Sequence, residues 1–337
     1  MAFMAYTIKD VAKKANVSIA TVSRILNGQP GYSAKTKQKV LQVIEDLGYQ
    51  PNAVARGLIN NKTHTIGVLF PSLGGSLVTD LLRGIEKAAS DQGSSVIVCH
   101  TESDAEKTMK YLRLLGEKRV DGIIFTSEVL LKEYYQVIEK MNVPLVLLST
   151  KSDSLPVPYV KVDDFQAAYS ATEYLIQKGH RNIGMISGNS EDIIAGKPRI
   201  EGFIQAMKDN HIPFDENHIV NTGGFGFDRG ITGMRDMLNQ VPDVTAIFAA
   251  SDEIAIGAIS IANILGKKVP EDISIIGYDD INLASMSVPP LTTIHQPFIK
   301  MGELAGKMLL DMMETDQVPD SKIIEHTIIE RNSVKEL

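Results

Sequence analysis

From His64 onward, short apolar runs alternate with helix-length amphipathic stretches, and a layered α/β fold is what accommodates that pattern. The runs HTIGVLF, SSVIVCH, DGIIFTS and PLVLLST are nearly continuously apolar, as strands buried on both faces require. Helical stretches separate them over residues 77–92, 104–119 and 131–141. A second series follows: YVKVD, NIGMISG, HIVNT, AIFAAS and DISIIGYDD, with helical stretches near residues 165–178, 200–210, 228–238 and 254–265. The expected result is two doubly wound lobes. The tail, with LTTIHQP, a helix over Phe298–Met313 and KIIEHTIIERNSV, should cross back between them. The first lobe is then about residues 63–161 plus 293–322, and the second about residues 162–292 plus 323–337.

The N-terminal sixty residues read differently. Residues 1–62 carry nine Lys and Arg against three acids, while the remainder carries 25 basic and 38 acidic residues. A basic head on an acidic body suits a chain whose head alone meets a polyanion, although a solvated charged face would look the same. Thr7 can cap a first helix with Ile8, Val11, Ala12 and Ala15 on one face, and Asp10 suits its first turn. Ser18 can cap a second helix, Ile19 to Leu26, stopped by Asn27-Gly28. Ser33 can cap a third, running through Val40, Leu41, Ile44 and Leu47 and stopping at Gly48.

Two short helices joined by a tight turn and braced by a third make a helix-turn-helix, with Ala12, Val17, Val22 and Ile25 as its small core. The second helix then exposes Ile19, Ala20, Thr21, Ser23 and Arg24. Arginine suits a bidentate contact to guanine, and Ser18, Thr21, Ser23 and Asn27 have the reach for phosphates. A small helical protein-interaction module is the competing reading.

TIKDVAKKANVSIATVSRILNG followed by SAKTKQKVLQVIEDLGYQPNAVARGL resembles the headpiece of the lactose-repressor (LacI/GalR) family over residues 6–60. The resemblance implies an N-terminal helix-turn-helix headpiece over 1–50, a hinge helix and linker over 51–62, and a two-lobed, doubly wound, periplasmic-binding-protein-like core over 63–337. It also implies a homodimer on a pseudo-palindromic operator with a central CG step. Ser18–Asn27 would read the major groove, with bases touched from Ile19, Ala20 and Arg24. Further DNA contacts would come from Thr7, Tyr49, Asn52 and Ala55. Paired hinge helices would order in the minor groove with Leu58 wedged into the central step. Alone, a segment this short with Gly57 in it would be barely helical.

In doubly wound folds ligands bind beyond the carboxyl ends of strands. Asp163 follows YVKV, Arg199 opens the helix after the loop beyond NIGMISG, Ser251 and Asp252 follow AIFAA, and Asp279 and Asp280 follow DISIIGY. The resemblance places effector contacts on Arg199, Asp252 and Asp279, with Phe298 as an apolar wall. An arginine and carboxylates around one cleft suit a sugar or sugar derivative, because they supply fixed donors and acceptors. Each also has a plainer reading: Asp252 as a helix cap, Asp280 as a turn residue, Arg199 as a surface ion pair.

Other classes fare poorly. Ala195-Gly196-Lys197-Pro198 lacks the first glycine and the hydroxyl of a phosphate loop, and Gly223-Gly224-Phe225-Gly226 has Arg229 where a dinucleotide fingerprint needs a third glycine. With no catalytic motif, no enzyme is expected. The seven histidines are scattered, so neither metal nor cofactor is expected. Cys99, the single cysteine, sits in an apolar run and reads as a buried structural thiol. No apolar run spans a membrane and no secretory signal opens the chain, so the expected place is the cytoplasm. Two alternatives stay open. One is a cytoplasmic sugar-binding protein. The other is control by a phosphorylated HPr-type protein, as in the catabolite-control branch of the family, whose headpiece this one is close to. The comparable docking stretch, Gly302–Met312, keeps only Lys307 as a basic residue.

Overall fold

A computed structural model of the chain describes residues 6–26, 28–49, 62–315 and 317–337. It divides into two compact units, Met1–Thr63 and His64–Leu337. Asn27 and the hinge residues Asn52, Ala55 and Leu58 lie outside the described residues.

The first unit holds α1 (Ile8–Ala15), α2 (Ile19–Leu26) and α3 (Ala34–Leu47). Their starts are fixed by local side chains. The Asp10 carboxylate accepts from Thr7 N at 2.8 Å and from Thr7 Oγ1 at 2.7 Å. Ser18 Oγ accepts from Thr21 N, and Ser33 Oγ from Thr36 N, both at 3.1 Å. α1 ends on Asn16 and α3 on Gly48, both left-handed. Val11, Ala12, Ala15, Val22, Ile25, Val40 and Val43 form the buried core, with Val17 partly buried against it. On α3 Val40 and Val43 are buried and Leu41 is 45% exposed. Positions 40, 43, 44 and 47 fall on one helical face, whereas 41 lies about 100° round from 40.

The second unit begins with β1 (Thr65–Phe70), α4 (Ser76–Asp91), β2 (Ser95–His100), α5 (Ala105–Lys118), β3 (Gly122–Thr126), α6 (Lys132–Met141), β4 (Leu145–Leu148) and β5 (Tyr159–Val162). It continues with α7 (Asp164–Gln177), β6 (Ile183–Ser187), α8 (Gly196–Asp209), β7 (Ile219–Asn221), α9 (Phe227–Gln240), β8 (Ala246–Ala249), α10 (Asp252–Ile264) and β9 (Ser274–Asp279). α11 (Asn282–Met286), β10 (Thr292–His295), α12 (Phe298–Thr315), β11 (Lys322–Ile324) and β12 (Thr327–Ile329) complete it. One sheet has the order β11-β5-β4-β3-β1-β2, all parallel; the other has the order β12-β10-β9-β8-β6-β7, with only β12 antiparallel. The central strands β3, β4, β6 and β8 are buried throughout, so their apolar runs carry no alternation.

The chain changes lobe slightly later than the sequence reading places it. β10 pairs with β9 in the second sheet, and β11 pairs with β5 in the first, so the last two crossings fall after His295 and after Ile324 rather than before 293 and after 322. The apolar TTIH run finds a free edge on β9, and Pro297, with no N–H to donate, ends it. α12 then packs on α4 through paired glycines. A side-chain carbon on Gly302 would overlap the Leu81 carbonyl, and one on Gly84 the Ile299 carbonyl. Cys99 is buried and its thiol is pushed up to about 11 by that burial, which leaves it protonated.

Candidate functional site

The outer face of α2 is set by what its inner face must bury. Val22 and Ile25 point into the small core, so Ile19, Ala20 and Arg24 are exposed, with Thr21 and Ser23 half-buried beside them. Ile19 is 45% exposed, beside the exposed Ala20 and Arg24. Gly31, with φ 116°, leaves room for Arg24: a side-chain carbon there would lie 3.4 Å from Arg24 Nη1. Lys9, Lys13, Lys14, Lys35, Lys37 and Lys39 are exposed on the same unit. Such a face offers one guanidinium, small apolar groups and hydroxyls, the set that reads base edges in a major groove. Ser18 Oγ and Thr7 Oγ1 are engaged in helix-start contacts, and Tyr49 is half-buried against the core.

In the second unit a cavity of about 350 Å³ opens between the lobes at the carboxyl ends of the strands. Arg199, Ser251, Asp279 and Phe298 line it, together with Phe70, Ser76, Ser127, Ser149, Lys161, Asp164, Asp192, Phe225, Glu253 and Gln296. Asp163 and Asp252 are not on its wall. Asp163 is exposed, and its carboxylate accepts from Gln166 N at 3.1 Å as the N-cap of α7. The next residue, Asp164, is the buried one. Asp252 is fully buried beneath the wall, where it accepts from Thr293 Oγ1 and, at 2.8 Å, from Ile281 N. Asp252 therefore holds the turn after β9. Asp280 is fastened to Arg331 at 2.6 Å and His295 at 2.9 Å.

Arg199 is held from three sides. Its Nε and Nη2 both close on Asp164 Oδ1, at 2.9 and 2.8 Å, and Nη1 donates to the Ala250 carbonyl at 2.6 Å. The guanidinium lies over the Tyr278 ring, 3.7 Å from its centroid. Lys161 Nζ binds the other Asp164 oxygen at 3.0 Å, and the Tyr278 hydroxyl donates to Asp164 Oδ1 at 3.0 Å. Burial works against the Asp164 charge, yet Arg199 and Lys161 hold its carboxyl below the usual range.

Asp279 behaves in the opposite way. It is buried with one hydrogen bond, from Gln296 Nε2 at 2.8 Å, and burial pushes it up to about 7 despite the nearby Arg199. Asp279 and Asp280 have φ of 121° and 60°. On the first lobe Ser127 and Ser149, just past β3 and β4, have φ of 50° and 56°. Non-glycine residues in that region cost energy and collect where a site must be shaped. Ser76 Oγ and Ser149 Oγ are buried without a hydrogen-bond partner among the described residues.

Sequence reading missed this first-lobe wall, although its signal was the same one used on the second lobe: Ser127 and Ser149 directly follow apolar strands. It also missed Lys161, Asp164 and Gln296, whose types gave no sign that they face a cavity. Among the described residues no group of histidines, cysteines and acids is disposed to hold a metal, and no helix is long and apolar enough to cross a membrane.

Residues 7–52 match "Bacterial regulatory proteins, lacI family", and residues 63–332 match "Periplasmic binding proteins and sugar binding domain of LacI family". The chain is 38% identical to catabolite control protein A of Priestia megaterium, over 98% of this chain and 100% of that protein. It is 39% identical to the transcriptional repressor PurR of Klebsiella pneumoniae, over 97% of this chain and 96% of that one. Its structure resembles that of the lac repressor dimer bound to operator and the anti-inducer ONPF, with TM-score 0.89 and 29% identity over 98% of this chain and 99% of that chain.

Proposed function

The chain belongs to the LacI family of bacterial regulatory proteins, and from that premise we propose which of its residues read DNA and which receive the controlling ligand. It is a DNA-binding transcriptional regulator whose core domain takes a small effector. α2 enters the major groove, where Arg24 reads a guanine and Ile19 and Ala20 make apolar base contacts. The headpiece occupies 1–50, the hinge 51–62 and the effector-binding, dimerising core 63–337. The protein works in the cytoplasm, where its DNA is, and catalyses no reaction.

The cleft carries the control. One observation supports this above the others: an inter-lobe cavity of about 350 Å³ whose Ser76 and Ser149 hydroxyls are buried without partners. Unsatisfied buried polar groups are costly, and a hydroxylated ligand satisfies them. Ser76, Ser149, Asp279 and Gln296 contact that ligand, Phe225 and Phe298 pack on its apolar face, and Arg199 and Asp164 shape the wall. A ligand between the lobes changes their relative setting, and by linkage its affinity for each DNA-bound or released state sets repression.

The test begins with selection of bound duplexes from a random pool by the full chain. Arg24→Ala should cost about 1–3 kcal/mol on the selected site and relax preference at one base pair per half-site. Equal losses on every sequence would remove Arg24 from the reading role and leave it a phosphate contact.

A further inference from the structure

Six charged side chains line the cleft: Lys161 and Arg199 against Asp164, Asp192, Glu253 and Asp279. Both cations are already spent on one carboxylate, since Lys161 and Arg199 hold the two oxygens of Asp164. The edge with which an arginine clamps a phosphate is Nε with Nη2, and here that edge is closed on Asp164 Oδ1. The third bond of Arg199 goes to a backbone carbonyl and one ring face covers its plane. Of the remaining acids, Asp279 accepts from Gln296 Nε2 at 2.8 Å and feels the nearby Arg199 without being ion-paired to it. Asp192 accepts only from the backbone amides of Ile194 and Gly196, and among the described residues neither it nor Glu253 is ion-paired. Opposite them stand the partnerless hydroxyls of Ser76 and Ser149.

We infer that the cleft selects by charge: it takes an uncharged, hydroxyl-rich molecule and rejects phosphorylated and carboxylated ones. This rests on the reading of the cleft as the effector site. An anionic group entering would lose its water and meet the carboxylates of Asp192 and Glu253, while of the two cations among the described lining residues Arg199 could clamp it only by leaving buried Asp164 and Lys161 is already set against the same carboxylate. A neutral polyol meets no such penalty. Its hydroxyls donate to Asp279, Asp192 and Glu253 and pair with the two serines, and its C–H face lies on Phe225 and Phe298.

The experiment uses the full chain and two sets of probes at fixed ionic strength. The first set is matched pairs: ribose with ribose 5-phosphate, glucose with glucose 6-phosphate, and glucose with glucuronate. Calorimetry and thermal shift should find binding confined to neutral members, weakened roughly tenfold or more by Ser149→Ala and by Ser76→Ala. The second probe is inorganic phosphate alone, which needs no identified effector. It should leave the wild-type melting temperature unmoved and raise that of Asp164→Asn, whose Arg199 and Lys161 are released. Glu253→Lys, which puts a cation at the cleft without touching the buried network, should also gain the response and serves if Asp164→Asn does not fold. A phosphorylated probe that binds wild type and is lost with Ser149→Ala overturns the charge selection but leaves the cleft as the effector site. A neutral sugar whose binding ignores both serine variants overturns the cleft reading itself. Equal stabilisation of wild type and the charge variants by phosphate overturns the inference outright.

Discussion

On the second-lobe wall of the cleft Arg199 is bound to Asp164 and Ala250 and Asp279 to Gln296, and beneath that wall Asp252 is bound to Ile281 and Thr293. On the first-lobe wall, built by the same kind of parallel sheet, the Ser76 and Ser149 hydroxyls are buried with no hydrogen-bond partner among the described residues. The two walls grow from like topology, yet one carries a closed network around Arg199 and Asp164, with Asp192 and Glu253 standing outside it, and the other leaves its hydroxyls open. A closed network makes a rigid template that a ligand enters at little reorganisation cost. An open wall holds binding energy in reserve, because its groups gain partners only when a ligand arrives. Stability should therefore be concentrated in the first kind of wall and affinity in the second.

The sharpest way to break that contrast is Arg199→Ala. It strands Asp164 in the interior with only Lys161 beside it, and the loss of one member of a buried ion pair costs about 3–5 kcal/mol. Urea unfolding should show the midpoint of the core falling by a corresponding amount. A variant as stable as wild type would mean that the second-lobe wall is no more structural than the first.

Acidity offers a second, smaller lever. Asp279 titrates near 7 in the folded chain and near 3.9 unfolded, so the folded state holds the extra proton between those values. Its contribution is therefore fully present below about pH 4 and is lost as pH rises toward 7. Asp252 is displaced in the same direction by burial. Burial lowers His180 and His326, which work the other way. The difference between wild type and Asp279→Asn isolates the effect: the variant should gain relative stability from about pH 4 to pH 7 and level off above that. A flat difference would place Asp279 outside the buried, under-compensated setting described for it.

The smallest stability effect is expected on the open wall. Ser149→Ala and Ser76→Ala remove hydroxyls that bond nothing, so the melting transition should move by no more than about 0.5–1 kcal/mol, upward as readily as downward. A loss of several kcal/mol from either would show that these hydroxyls already support the fold, and the contrast between the walls would disappear.

Much of this was legible in the residues. Capping is a contact between neighbours in sequence, so Thr7-Asp10, Ser18 and Ser33 could be placed as helix starts without any fold, although at α10 the cap is Ser251 and not the Asp252 that the sequence suggested. The buried parallel strands announced themselves by unbroken apolar runs, and the basic head by its charge. Four of the six expected effector residues, Arg199, Ser251, Asp279 and Phe298, do line the cleft. The sequence alone could not separate Asp163 from Asp164. Both follow a strand, and only the packing of α7 sends the second inward to Lys161 and Arg199 while the first caps the helix. Nor could it send Asp252 beneath the wall, which depends on Thr293 arriving from β10 forty-one residues later. Local propensity and periodicity are properties of a few adjacent residues and survive in the string of letters. Which polar groups meet, and which are left without partners, depends on strands brought together from distant parts of the chain, and only the folded lobes decide it.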